Sequence, residues 1–510
     1  MASSAEAVSY PPAAPGANGP GPEVGGAAER RRTGSPTLAL LVITLGTLMA
    51  AIDTTIVILA LPTMGQELGS PLGTVIWVIL LYLLVTTLLT TQLGRVGDIF
   101  GRARLYTWGF AVFTVASVLC GIAPSDLFLI GSRGLQAVGA SLMVANSGAI
   151  VADHFPPERR GHAFGYLALG WSLGAVLGIV LGGAITTYLG WRYIFFVNAP
   201  IGAVGVWLSL RTLRDVERHR TPLDLGGFGL FGTALGLVSY GAIDFASHGL
   251  RPINEALLVA GLLFFVPFYL WERRAAAPLL DFRLLGQRLM AYSLASSFLQ
   301  GLGYLAVVFL LTMYLQGVRG LSPLDAALLL VPGYATGGVL SPYMGRLADR
   351  LGSRLLATTG LLLMLAGVLA YASLRVDSPL GLVVGITLVT GAGSGMFWPA
   401  NNAAIMHNAP RGAYGAVAGL RSMLTNTGTL LSFVLAISIA SGTVPRYVAY
   451  AVILGTTKLI GGVGAAFLHG IDNALFVSGV VLAVAALLSA LRGPHPSAPP
   501  GPPPPLRSRE

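Results

Sequence analysis

The sequence predicts an all-α polytopic membrane protein with fourteen membrane-spanning helices. Hydrophobic residues make up 54% of its 510 positions and charged residues only 10%, a balance that soluble globular domains do not have. Apolar stretches long enough to cross a hydrocarbon core about 30 Å thick recur along the chain. The basic residues fall in short segments between these stretches, which is a topology signal and not a nucleic-acid surface. We therefore expect the lipid bilayer, and not nucleic acid, as a partner.

The apolar stretches define the spans and their direction. We place the first span at residues 38–62 and thirteen more at residues 73–93, 105–123, 127–150, 162–184, 192–211, 225–243, 254–271, 290–317, 324–345, 355–374, 380–404, 413–441 and 472–491. Most of the 31 Lys and Arg residues fall on every second connecting segment, beginning with the three arginines before the first span. Because short cytoplasmic segments are enriched in basic residues, we expect a multi-pass protein of the plasma membrane with both termini in the cytoplasm.

Three segments differ from the spans in composition. Residues 1–36 are rich in Pro, Gly and Ala, so we predict a disordered cytoplasmic tail. Residues 492–510 include a proline-rich run and are predicted to form a second disordered tail. Residues 442–471 are apolar only in part and contain Lys458 and several glycines. We expect them to form an outer loop that dips into the membrane interface.

A repeated motif divides the chain into two halves. Residues 94–102 read GRVGDIFGR after the second span, and residues 345–354 read GRLADRLGSR after the tenth. A Pro–Arg–Gly marker follows each copy at nearly the same distance, at Pro157 and at Pro410. Two homologous six-span halves are therefore expected at residues 37–211 and 290–491, with two inserted spans in residues 212–289. Such paired halves are typical of secondary transporters. The glycines would permit tight turns, and Asp98 would accept hydrogen bonds from a helix amino end.

The first span carries a carboxylate deep in apolar sequence. Asp53 lies nine residues before Pro62, which corresponds to a depth of about 14 Å. An ionisable residue at that depth is costly and marks a functional site. The alternative is a structural ion pair with an arginine. Asp53 is also the only carboxylate far from a span end, and an acid so placed could bind and release a proton.

The sequence argues against other energy sources and against an enzyme. A phosphate-binding loop needs a lysine after a specific glycine spacing, and the only lysine, Lys458, does not have it. The histidines show no metal-ligand spacing, and no catalytic constellation is present. We therefore expect no enzymatic activity, no cofactor and no metal, and an ion gradient as the energy source.

Several motifs in this order resemble one transporter family. They are residues 52–57 (IDTTIV) with residues 60–62 (ALP), the paired GRxxD motifs, residues 133–136 (RGLQ), and residues 191–202 (WRYIFFVNAPIG). Over residues 37–491 the chain resembles the fourteen-span drug:proton antiporters (EmrB/QacA type) of the major facilitator superfamily. The resemblance implies the major facilitator fold, two six-helix halves plus two inserted helices. It also implies proton coupling by Asp53 and Arg133. Arg133 lies about 9 Å and Asp53 about 14 Å below the same membrane side, so we predict that their side chains lie within one water of each other.

The resemblance further implies a gate built from the repeated motif. Its residues are Gly94, Asp98, Arg102, Gly345, Asp349 and Arg350. We predict that the first aspartate lies near residues 412–416 and the second near residues 161–164, so that each clasps the opposite half on the cytoplasmic side. An ordinary basic loop is the alternative.

The fifth span departs from the family at one position. The family motif has the form GxxxGPxxGG, and this sequence has Ile179 where the proline is expected. The glycines remain at four-residue spacing, which gives one flat face for close helix packing. These helix-packing residues are Gly170, Gly174, Gly178 and Gly182.

Polar and aromatic side chains at mid-depth are candidates for substrate contact. Ordinary packing or an interhelical hydrogen bond is an equal alternative for each. The candidates are Gln136, Trp171, Gln300, Tyr304 and Asn426.

Together these features predict a monomeric, proton-coupled exporter of small amphipathic compounds that are cationic or neutral. One deep acid can hold a proton or neutralise a single positive charge, so dications should be poor substrates. The alternatives are a dedicated exporter of a single endogenous metabolite and a transporter-like sensor that moves nothing.

Overall fold

The computed structural model describes residues 35–155, 157–215, 222–276, 278–280, 286–409, 414–440 and 463–493. Of the two predicted disordered tails, only residues 35–36 and 492–493 lie within this part of the chain. The predicted interfacial loop at residues 442–471 lies outside it up to residue 462. The last helix already begins at Val463.

The predicted all-helical membrane fold is confirmed. In the described ranges, fourteen helices are long and apolar enough to cross a membrane. The main helices of these spans are α1 (Pro36–Leu68), α2 (Trp77–Phe100), α3 (Arg102–Gly121), α4 (Asp126–His154), α5 (Pro157–Tyr188), α6 (Asn198–Thr212), α7 (Leu225–His248), α8 (Pro252–Glu272), α9 (Arg288–Thr312), α10 (Pro323–Leu351), α11 (Ser353–Tyr371), α12 (Leu380–His407), α13 (Tyr414–Ala440) and α14 (Val463–Leu491). The sixth span, Tyr193–Thr212, consists of α6 and the short helix before it. Short helices at Leu72–Val75 and Tyr193–Phe196 precede α2 and α6, and a π-helical segment, Met313–Val318, continues α9.

The repeated GRxxD motif is helical where the sequence predicts a loop. Residues 94–100 form the last turns of α2, and only Gly101, with φ 110°, separates α2 from α3. Residues 345–351 likewise end α10, and Gly352, with φ 88°, separates it from α11. Glycine is suited to these left-handed junctions because it has no Cβ. We call the side of the bundle with these two junctions the motif end, and the other side the opposite end.

Helix packing in the first half is repeated in the second. Helix α1 packs on α5, α2 on α4, and α3 on both α4 and α6; the same pairings recur between the corresponding helices of α9–α14. The two groups meet where α5 packs on α10 and where α13 packs on α2. Helices α7 and α8 pack on each other, and α7 also contacts α2 and α13. The arrangement supports two six-helix halves with an inserted hairpin at their side.

The two halves touch at the opposite end. The Leu324 N–H of α10 donates to the Thr187 hydroxyl of α5 (3.2 Å), and the Gln316 side chain donates to the Leu59 carbonyl of α1 (3.2 Å). The face of α5 between α1 and α10 is buried near this end, where Ile179 is 1% exposed. On the same face nearer the motif end, Trp171 is 48% exposed. The halves are therefore in contact at the opposite end, and the face of α5 between α1 and α10 is more exposed toward the motif end.

Candidate functional site

Four glycines bring α5 against the backbone of α1. A Cβ added at Gly174 would lie 2.6 Å from the Leu48 carbonyl oxygen, and one at Gly178 would lie 2.6 Å from that of Ile52. Gly170 and Gly182 face α1 in the same way. These are the four residues of the predicted helix-packing face. The Ile179 side chain is buried beside them, and α5 runs unbroken from Pro157 to Tyr188.

This contact gives the first testable prediction. Gly178→Leu inserts a side chain into α1 backbone, and overpacking of this kind costs about 1–3 kcal/mol. We expect a lower thermal unfolding temperature of the detergent-solubilised protein and less folded protein in membranes. Gly165→Leu is the control, because a Cβ at Gly165 on the same helix meets nothing within 4 Å. Equal loss of stability in both variants would contradict the close α1–α5 contact.

The close packing fixes the rotation of α1, and Asp53 then projects into the first half. Its carboxylate is fully buried and accepts hydrogen bonds from three side chains. Arg133 Nη1 donates to Oδ2 (2.7 Å), Gln136 Nε2 to Oδ1 (2.8 Å), and Asn198 Nδ2 to Oδ1 (3.2 Å). Helices α1, α4 and α6 thus converge on one acid. The predicted Asp53–Arg133 proximity is observed as a direct ion pair.

Several further contacts hold the guanidinium group of Arg133 in place. Its Nε donates to the Val78 carbonyl (3.0 Å), and its Nη1 also donates to Gln136 Oε1 (2.6 Å). The guanidinium carbon lies 4.2 Å from the ring centroid of Tyr82. A cation over a desolvated aromatic ring gains about 2 kcal/mol. Arg133 therefore retains favourable contacts even when its acid partner is neutral.

Polar groups of α3 complete the network. The Ser117 hydroxyl accepts from Gln136 Nε2 (3.2 Å) and from Asn198 Nδ2 (3.0 Å), and donates to the Phe195 carbonyl (2.9 Å). The thiol of Cys120 points at Gln136 Oε1 (3.6 Å). No charged group besides Asp53 and Arg133 takes part among the residues that the structure describes, so the network is neutral overall.

One acceptor in this network has no partner. Asn198 Oδ1 is buried and receives no hydrogen bond from the described residues. A rotation of the amide would present this oxygen to Asp53. A protonated Asp53 needs such an acceptor, whereas an ionised Asp53 needs the Nδ2 donor that it now has. The Asn198 amide can therefore satisfy both protonation states of the acid.

Four members of the network were not predicted from the sequence. They are Tyr82, Ser117, Cys120 and Asn198. A signal for Asn198 was present, because it lies in the motif at residues 191–202 and is the only amide there. The others carry no local signal, since single Ser, Cys and Tyr residues are common in membrane helices.

For Gln136 the structure shows the alternative to substrate contact, an interhelical hydrogen bond. Its side chain is fully buried within the first half and donates to Asp53. The reason is helix geometry: residues three apart share a helix face, so Gln136 points the same way as Arg133.

The other four substrate-contact candidates lie in different surroundings. The Trp171 side chain is exposed, and it lies on α5 between the residues that contact α1 and those that contact α10. Asn426 on α13 is partly buried. Gln300 is fully buried, and neither of its amide atoms has a partner in the described part of the chain. Tyr304 is partly buried beside Thr390. Trp171 is thus the most exposed of these four candidates.

The second half has an uncharged counterpart of the Asp53 network. Tyr304 follows Asp53 by 251 residues, which is also the interval from Gly94 to Gly345. Tyr371 follows Cys120 by the same interval, and both tyrosines lie beside Thr390. The repeat interval was available in the sequence and could have revealed this correspondence. The acid is thus specific to the first half.

At the motif end, Arg102 links the first copy of the motif to α4. Arg102 donates to Asp98 Oδ1 (2.7 Å) and to Asp153 Oδ1 of α4 (2.6 Å). Gly94 packs near α4, where an added Cβ would lie 3.6 Å from the Ala145 carbonyl oxygen. These contacts tie the α2–α3 junction to α4.

Asp215, and not Asp98, caps the amino end of α3. Its Oδ1 accepts from the backbone N–H of Ala103 (2.8 Å) and of Arg104 (3.4 Å). Asp98 lies inside α2 and bonds Arg102 one turn later, whereas Asp215 follows α6, which packs beside α3. The contact expected between Asp98 and a helix amino end near residues 412–416 lies partly outside the described residues and stays a prediction.

The predicted clasp falls partly outside the described residues. Residues 412–413, the side chains of residues 414–416 and 161–162, and the side chain of Asp349 are not among them. In the second copy, Arg350 is exposed and Gly345 lies against Pro399 of α12. The clasp stays a prediction.

A buried acid paired with an arginine inside a bundle of fourteen apolar helices is typical of an ion-coupled membrane transporter. The sequence matches the Major Facilitator Superfamily over residues 43–433. The chain belongs to this family. In the described ranges, no group of three or more His, Cys, Asp or Glu side chains could hold a metal ion.

Relatives of this chain include a drug resistance protein, a riboflavin transporter and an uncharacterised transporter. The puromycin resistance protein pur8 of Streptomyces alboniger is 32% identical over 80% of this chain and 83% of its own length. The riboflavin transporter RibZ of Clostridioides difficile is 29% identical over 77% of this chain and 86% of its own length. The uncharacterised transporter Rv1250 of Mycobacterium tuberculosis is 33% identical over 63% of this chain, and the match spans only 56% of that protein.

A solved structure has the same fold. It is a bacterial homologue of the human lysosomal transporter Spinster in an inward-facing, unoccupied conformation, with a TM-score of 0.62 at 18% identity. The superposition covers 90% of this chain and 96% of that one.

Proposed function

We propose that this chain is a monomeric antiporter of the plasma membrane that exports small amphipathic, cationic or neutral compounds in exchange for protons, with both termini in the cytoplasm. The observation that carries the proposal is the fully buried Asp53–Arg133 pair with its amide partners Gln136 and Asn198. Relatives named for multidrug and puromycin resistance support the direction of transport. They also favour the fourteen-span drug antiporter type within the family.

Proton binding would change the network in one defined way. A proton on Asp53 neutralises the carboxylate and removes its attraction for Arg133, which is strong because both groups are desolvated. Arg133 keeps its hydrogen bonds to the Val78 carbonyl and to Gln136 and its contact with the Tyr82 ring. The helices that carry the pair, α1 and α4, can then shift relative to each other. Such a shift would couple proton binding to the change between conformations.

The substrate would bind between the halves and not at Asp53. Trp171 offers an exposed aromatic face there, and Gln300, Tyr304 and Asn426 remain candidates for polar contact. The charge of Asp53 is already balanced by Arg133, so the network has no spare charge for a dication. Neutral compounds and single cations would be accepted at lower cost than dications.

Inverted membrane vesicles with an acidic interior test this proposal. We expect uptake of a monovalent amphipathic cation and a neutral analogue, collapse of uptake when a protonophore removes the gradient, and poor uptake of a matched dication. Equal transport of the monovalent and divalent compounds would contradict the proposed charge preference. Transport that persists without the gradient would contradict proton coupling.

The motif end gives a further prediction. Asp98→Asn removes the charge that bonds Arg102 and weakens any clasp across the motif end. We expect a lower transport rate with unchanged substrate affinity, measured as the rate and half-saturation of vesicle uptake. Asp377→Asn, which changes an exposed acid in the loop after α11, is the control. An unaltered rate in Asp98→Asn would count against a gating role.

A dedicated exporter of one endogenous metabolite is the second candidate, and the similarity to a riboflavin transporter favours it. A panel of unrelated toxic compounds separates the two, because a dedicated exporter confers resistance to none of them. A sensor that moves nothing would fail every uptake assay.

A further inference from the structure

The inserted α7–α8 hairpin ends in two buried acids. Asp224 immediately precedes α7, and Glu272 is the last residue of α8. Asp224 is 5% exposed and Glu272 is 3% exposed. They lie at the motif end and take no part in the Asp53 network. Burial of two carboxylates requires a compensating group.

Hydrogen bonds satisfy one oxygen of each acid. Asp224 Oδ1 accepts from the Gly227 N–H (2.8 Å) and from Trp271 Nε1 (2.7 Å). Glu272 Oε2 accepts from the Leu280 N–H (3.0 Å). These donors come from α7, α8 and the segment after α8, so they fix both carboxyl groups in place.

The remaining two oxygens face each other without a donor. Asp224 Oδ2 and Glu272 Oε1 are buried and receive no hydrogen bond from the residues that the structure describes. A Cβ built on Gly227 would collide with both of them, so they lie side by side above that glycine. Two ionised carboxylates placed side by side repel each other strongly. One proton shared between the two oxygens replaces this repulsion by a hydrogen bond.

The charge of the surroundings fits a single proton. Arg95 of α2 donates to the Pro278 carbonyl (2.7 Å) and the Pro222 carbonyl (3.4 Å), which flank the pair, and its charge acts on both acids. Gln92 of α2 donates to the Asp224 carbonyl (2.8 Å). Arg273 and Arg274, which follow α8, are exposed. Two acids, one arginine and one proton leave no net charge in the buried cluster.

A metal ion fits this cluster poorly. Zinc needs about four ligands, and calcium and magnesium need six or more. The pair offers two free oxygens, and backbone and indole donors occupy the other two.

We propose that Asp224 and Glu272 form a second proton-binding site, in which the two carboxyl groups share one proton. This site is separate from Asp53 and holds the inserted hairpin against α2, next to the GRxxD motif that begins at Gly94. Loss of the proton leaves an uncompensated buried charge and loosens the hairpin. The protein is therefore more stable when the proton is bound, and this stability is lost as the pH rises.

Infrared spectroscopy of the purified full-length protein tests the shared proton. At neutral pH we expect a carboxylic-acid carbonyl band that disappears in Glu272→Gln and in Asp224→Asn. Glu255→Gln is the matched control, because Glu255 is an exposed acid at the other end of α8. The band should persist in this control and in Asp53→Asn. A band that is unchanged in both pair variants would overturn the proposal.

Thermal unfolding across pH is the second readout. In Glu272→Gln the new side-chain amide keeps a hydrogen-bond donor toward Asp224 but cannot lose a proton. The unfolding temperature of this variant should therefore fall less than that of wild type from mildly acidic to alkaline pH. If Glu272→Gln does not fold, Asp224→Asn carries the same expectation. Parallel pH profiles in wild type and the folded variant would contradict a shared proton. If magnesium stabilised the wild-type protein and no carbonyl band were present, the acid pair would bind a metal ion and not a proton. That result would also contradict the proposal.

Discussion

Asp53→Asn abolishes proton-driven export, while the protein still folds and inserts. Asparagine can accept and donate hydrogen bonds with Gln136 and Asn198, so the polar contacts survive. It cannot ionise, so the change in charge that couples proton binding to the helix shift is lost. Arg133 remains bound by the Val78 carbonyl, the Tyr82 ring and Gln136. Initial rates of gradient-driven uptake in vesicles measure the effect, and we expect loss to the background level.

Asp377→Asn is the control for this loss, because it removes an exposed acid from the α11–α12 loop. It should transport at the wild-type rate. Equal expression of both variants in the membrane fraction shows that the difference is functional. Full activity of Asp53→Asn would exclude the single-carboxylate mechanism.

Arg133→Gln has the second large effect. Removal of one partner of a buried ion pair costs about 3–5 kcal/mol when the other charge stays ionised. Asp53 escapes this cost by keeping a proton, because no cation then favours its ionised form. We expect a stable protein only where Asp53 is protonated, with a sharp loss of thermal stability as the pH rises. Uptake should fall to background, since the acid no longer releases its proton.

The double variant Asp53→Asn/Arg133→Gln separates stability from function. It replaces the ion pair by two neutral amides, so the pH-dependent loss of stability should vanish. Transport should remain absent. A double variant whose destabilisation equals the sum of the two single variants would show that the residues do not interact.

The sequence was sufficient for the spans and for the Asp53–Arg133 pair. Both depend on position along a helix axis, and residue counts convert directly into depth at about 1.5 Å per residue. Depth says nothing about direction, however. Gln136 has the right depth for a substrate contact, but it shares a helix face with Arg133, and its side-chain amide donates to Asp53. The rotation of α4 follows from its packing partners, which the sequence does not reveal.

At the motif end, two glycines do not form the turn that the sequence predicts. Gly94 and Gly97 indicate a turn, yet both lie inside α2. A Cβ at Gly97 would collide with the side chain of Asn146 on α4, so this glycine permits helix contact and not a turn. Asp215 and the pair Asp224–Glu272 were missed for a related reason. Their partners lie on other elements, and no local pattern connects them.

Proton release from the purified protein tests the account most directly. Addition of an exported compound to wild-type protein in weakly buffered detergent solution should release a proton, with saturation that follows substrate binding. Glu272→Gln should release protons as wild type does, because its acid pair lies outside the transport network. Asp53→Asn should bind the compound and release none. Equal release from Asp53→Asn and wild type would contradict the assignment of proton coupling to Asp53.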